Sequence, residues 1–153
     1  MTKEDEYHRK TGAKCFNEAW KYLDKKKRTA EEDKLMLQLV HSSRYHWGLV
    51  GKPRNFAIAD WQVSRAYAAL GEGRLALAYA FSSLKCCEEE GLGDIVPSVL
   101  EGMARAYAVS GDAAKARSYL SKAKTALKSA GIEPEDMRIY RSQIGDTERL
   151  IRG

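Results

Sequence analysis

The chain repeats itself at an interval of about 40 residues, and this limits what it can fold into more than any other feature. Arg65, Ala66, Tyr67, Ala68 and Gly71 recur as Arg105, Ala106, Tyr107, Ala108 and Gly111; Ala76, Tyr79 and Gly91 recur as Ala116, Tyr119 and Gly131. Average composition would give about two or three such matches over a stretch of this length. Gly51, Gly91 and Gly131 fall at one offset, each where an amphipathic stretch stops. They read as helix C-caps, where a positive φ costs glycine little.

Within one unit the apolar spacing is helical. Phe56, Ala59, Val63, Ala66, Tyr67 and Leu70 follow the 3, 4, 7 rhythm of one helix face, and Val96, Val99, Met103, Ala106, Tyr107 and Ser110 repeat it. After Gly71 and Gly111 comes a second stripe, Ala76, Tyr79, Ala80, Ser83 and Cys87, matched by Ala116, Tyr119, Leu120, Ala123 and Leu127. Pro53 and Pro97 sit where a first helical turn tolerates the missing N–H. Each unit is therefore expected to be a helical hairpin. Strands are excluded by the abundance of alanine and the lack of a period of two.

A worn earlier unit fits the same frame. Met36, Leu39, Val40, Ser43 and Trp47 stand one repeat before the second stripe, with Cys15, Phe16, Ala19, Trp20 and Leu23 as the first helix of that unit. The spacing predicts hairpins over about 13–51, 53–91 and 94–131. A terminal helix is expected over about 134–151, opening at Glu133-Pro134-Glu135-Asp136, with Tyr140, Ile144, Leu150 and Ile151 as its apolar face. Such a helix would cover the exposed side of the last hairpin. The whole reads as one all-α domain of about seven helices spanning residues 1–153.

The small residue, tyrosine, glycine, alanine and small residue that pace each unit resemble the tetratricopeptide repeat. They stand as Ser64, Tyr67, Gly71, Ala76 and Ser83, and more fully as Ala104, Tyr107, Gly111, Asp112, Ala116 and Ala123. The likeness covers residues 53–131 well and 13–51 weakly. It departs from the family in its longer period, about 40 against about 34, and in the position of Trp61. The resemblance implies a right-handed stack of antiparallel hairpins, an α-solenoid. It also implies a non-enzymatic scaffold or adaptor that holds a peptide or protein segment in a groove lined by the first helix of each hairpin. On the frame of the repeat that surface would carry Lys25, Arg65 and Arg105 as a row of cations, with Trp61 and Glu101 beside them. An acidic segment is the expected partner. The simpler alternative has the arginines solvating the helix or pairing with Glu101 or Asp60.

The charge, 26 cations against 21 acids for a net +5, permits an acidic partner without demanding one. Lys25, Lys26, Lys27 and Arg28 supply much of the excess. The run reads as a solvated helix end before an N-cap at Thr29. No arginine–aromatic interleaving of the kind that stacks bases is present, so nucleic acid is not the expected partner. The oligomeric state is not fixed by the sequence, and a homo-oligomer stays open.

Signals for catalysis are absent. His41 and His46 are five apart and diverge by about 140° on a helix, too far to share a metal. Cys86 and Cys87 are adjacent, and no phosphate loop or nucleophile elbow occurs. No enzyme, cofactor or metal is expected. One polar-aromatic stretch offers a second reading: Arg44, His46, Trp47, Asn55 and Gln62 could form a small-ligand pocket between the first two hairpins, giving a regulator or sensor. Three cysteines, an opening MTKEDEYHRKTG without a signal pattern, and no apolar run of about 20 residues lead to the expectation of a cytoplasmic protein away from membranes.

Overall fold

The computed structural model describes residues 1–153. It is all-helical: α1 (Lys3–Leu23), α2 (Ala30–Val50), α3 (Pro53–Ala69), α4 (Gly73–Glu90), α5 (Val96–Val109), α6 (Ala113–Ser129) and α7 (Pro134–Arg152). Helix α1 begins at Lys3 rather than near residue 13. Thr2 and Asp5 form a capping box there, and Glu4, Asp5 and Glu6 place negative charge on the first turn. Thr29 caps α2 as expected, in a reciprocal box with Glu32. No helix is long and apolar enough to cross a membrane.

Each helix packs on the next in the chain, and α1 on α3, α3 on α5 and α5 on α7 also touch. The repeat in the sequence is a repeat in space. Tyr67 stacks on Tyr79 with ring centroids 5.8 Å apart and planes at 18°, and Tyr107 stacks on Tyr119 at 5.4 Å and 22°. Gly71 and Gly111 follow these helices at φ 75° and 85°, a region that a Cβ resists. There the chain turns back so that Glu72 and Asp112 donate their N–H groups to the carbonyls of Tyr67 and Tyr107.

Buried serines tie the helices of the first two hairpins together. Ser43 and Ser83, one repeat apart, donate to the Gly12 and Ala57 carbonyls at 2.9 and 2.7 Å, and Ser64 donates to the Ala76 carbonyl at 2.8 Å. A small side chain lets the backbones approach, and its hydroxyl is satisfied in doing so. Ala76, Ala80, Ala116 and Ala123 are fully buried at the same close contacts.

Two expectations are corrected by this packing. Gly51 is extended, at φ −83° and ψ −179°, and not a left-handed cap. A Cβ at Gly51 would come within 2.7 Å of the Trp47 carbonyl oxygen and 2.9 Å of the Asn55 Cβ, so space and not φ favours glycine there. Helix α7 is also more than a cover. Ile144, Tyr140 and Ile151 do pack against Ala104, Leu120 and Leu127, but Leu150 is exposed, and Thr147 is fully buried on the side that faces α5.

Candidate binding groove and the charge seam beside it

Glu101 is the centre of a buried ionic seam. It lies on α5 with its side chain 2% exposed, and it accepts from three helices. Arg105, one turn later on α5, donates through Nε and Nη2 to Glu101 Oε1 at 3.1 and 2.8 Å. Arg65 of α3 reaches Oε2 at 3.5 Å, and Thr147 of α7 donates its hydroxyl to Oε1. Arg105 also donates to the Gln143 carbonyl of α7 at 3.2 Å. The two arginine side chains are only 11% and 13% exposed.

Arg65 is held on its other sides by aromatics. Its guanidinium lies 5.4 Å from the Trp20 ring and 5.5 Å from the Trp61 ring, a double cation–π contact. Burial pulls its pKa down to about 10, and the neighbouring Arg105 charge adds to that, while Glu101, Asp146 and Asp24 oppose it. The group is still charged at neutral pH. Its Nε is buried without a hydrogen-bond partner.

The row of three cations is therefore not formed. Lys25 lies beyond the end of α1 and pairs with Glu32 of α2. Arg65 and Arg105 converge on Glu101, as the simpler alternative had it, and Asp60 goes instead to Arg44 at 2.9 Å. The frame places Glu101 beside the two arginines but does not decide whether they face solvent or the acid. Arg28 is likewise no solvated end: it pairs with Asp33 at 2.7 Å and donates to the carbonyls of Tyr22, Lys25 and Ala69, bracing the α1–α2 turn against α3.

Trp20 and Trp61 also line a cavity of about 480 Å³. Phe16, Trp20 and Asp24 come from α1, and Ile58 and Trp61 from α3; Ser98 and Val99 come from α5, with Ile95 at its start; Asp136, Ile139, Tyr140 and Gln143 come from α7. Every odd-numbered helix thus gives one face to this groove. Trp61 is fixed by donating its indole N–H to the Ser98 carbonyl at 3.1 Å, and Gly102 admits its ring where a Cβ would approach to 3.1 Å. The sequence reading named Trp61 and missed most of the rest. The signal was the i, i+3, i+4, i+7 set Asp136, Ile139, Tyr140 and Gln143, of which only Tyr140 fell on the expected apolar face.

The polar-aromatic stretch does not assemble into one pocket. Arg44 pairs with Asp60 and lies over the Phe56 ring at 4.9 Å. Asn55 accepts from the Lys52 N–H at the start of α3, and Gln62 donates to the Phe16 carbonyl at 2.8 Å. His46 points to α1, its Nδ1 2.8 Å from that of His8, and burial together with His8 holds it below the usual imidazole range. Trp47 and Asn55 line a separate cavity of about 140 Å³ with Phe16 and Ile58. No family model matches the chain, and no curated protein or solved structure does.

Proposed function

We propose that the chain is a non-enzymatic protein-interaction module, a tetratricopeptide-like stack of hairpins that takes a protein segment in the groove between α1, α3, α5 and α7. The observation that carries this reading is the groove itself: about 480 Å³, with aromatic and aliphatic side chains contributed by four helices. Cavities of this size with a few polar groups suit ligand capture, and buried aromatics are the usual anchors of protein interfaces. The stack is supported by the tyrosine pairs that recur in successive hairpins and by the contacts between alternate helices. We take the cytoplasm as its compartment, consistent with three free thiols.

The small-ligand reading draws less support. Its residues are committed to neighbours one by one, and the 140 Å³ cavity beside Trp47 is below the usual range for a drug-sized ligand. Panning a phage-displayed library of random 12-residue peptides against the full chain tests the choice. Recovered peptides should shift the indole N–H resonances of Trp20 and Trp61 and leave that of Trp47 in place. Peptides that shift only Trp47, or a library that yields no binder, would overturn the reading.

A further inference from the structure

The charged groups that line the groove are both acids, in a chain whose net charge is +5. Asp24 stands at the C-cap of α1, the negative end of the helix dipole, where a carboxylate costs stability. The helix gains nothing from it there. Asp136 is exposed in the first turn of α7. Neither acid is in ion-pair contact with a cation of the chain: Lys25 pairs with Glu32, Arg28 with Asp33, and Arg65 with Glu101.

Gln143 also lines the groove, though its unpartnered Oε1 is shut off from solvent and does not open into it. The aromatic faces of Trp20, Trp61 and Tyr140 favour a cation as well. Arg65 already shows this in the first two rings.

Resting on the groove reading above, we infer that the occupant is an apolar protein segment carrying a lysine or arginine, and not the acidic segment that the cation row suggested. Its apolar side chains fill the space between Phe16, Ile58, Val99 and Tyr140, and its cation lies toward Asp24 and Asp136. Ile139 is 58% exposed at the edge, so the apolar lining runs out of the cavity onto the surface of α7. A surface of that form meets a chain that continues past the cavity better than it encloses a small molecule.

The peptides recovered by panning supply the test. Those that shift the Trp20 and Trp61 indoles should combine aromatic or aliphatic residues with an excess of lysine and arginine, and their affinity should fall as salt rises. The double variant Asp24→Asn, Asp136→Asn, at exposed positions, should weaken such a peptide by about tenfold or more. Replacing the peptide's cation by alanine should cost the same, and should cost little further in the double variant. Groove-binding peptides that are acidic or uncharged, or that ignore the double variant, overturn the inference and leave the groove reading standing. If no peptide reaches the groove, both fail. If phenethylammonium chloride shifts the two indoles while no peptide does, the occupant is a small amine, and the segment is overturned.

Discussion

Two regions share the rings of Trp20 and Trp61 and are built on opposite principles. In the seam, Arg65, Arg105 and Thr147 surround Glu101, and of their buried polar atoms only Arg65 Nε lacks a partner. In the groove, the same two rings face open space beside two carboxylates that form no ion pair within the chain. Charge that is paired and buried fixes the arrangement of α3, α5 and α7. Charge left at the edge of an apolar cavity is available to something else. The difference teaches that a residue's position on a helix face does not assign its role; the partner it finds across the interface does.

The comparison breaks most readily at Glu101. Glu101→Ala leaves two buried arginines facing each other, and about 3 to 5 kcal/mol of stability should be lost in urea unfolding followed by circular dichroism. A loss under about 1 kcal/mol would mean that water reaches the seam. Thr147→Val is gentler. It keeps the shape and removes one donor to Glu101, so about 1 to 3 kcal/mol should go, and the variant should remain folded. The groove should behave otherwise: Ile139→Asn, at an exposed position, should leave stability within about 0.5 kcal/mol while weakening groove-binding peptides. A stability loss there as large as at Thr147 would merge the two regions into one.

What the sequence made legible follows from what a repeat can encode. Tyr67, Gly71, Ala76 and their copies at 107, 111 and 116 mark a helix face, a helix end and a second stripe, and these recur in α3 to α6 as expected, while the stacked tyrosine pairs emerge only from the packing. The cap at Thr29 was equally local. Arg65 and Arg105 were placed on the correct frame position, with a surface row and a pairing with Glu101 both open; Arg105 meets Glu101 within α5, but Arg65 does so only after α3 and α5 have packed. The groove was hidden for a related reason. Asp136, Ile139 and Gln143 lie in α7, outside the repeat, and Phe16 and Trp20 read as core residues of a worn unit until α7, packed on α5 and α6, faces them across the groove. Gly51 shared the offset of Gly91 and Gly131 without their backbone conformation, since the neighbours that demand glycine there are Trp47 of α2 and Asn55 of α3.

The central claim, that the arginines of the repeat are spent inside the protein and the groove is left acidic, is tested most directly on the unaltered chain. Arginine side-chain resonances report burial without any substitution, because a paired guanidinium in a dry site rotates slowly and protects its protons from exchange. At neutral pH, Arg65 and Arg105 should show separate, slowly exchanging Nη–H signals, with Arg65 Nε–H also protected, while exposed Arg138 and Arg141 give averaged, rapidly exchanging ones. If Arg65 and Arg105 behave like Arg138 and Arg141, the seam is open to water, the cations are free to meet an acidic partner, and the account is wrong.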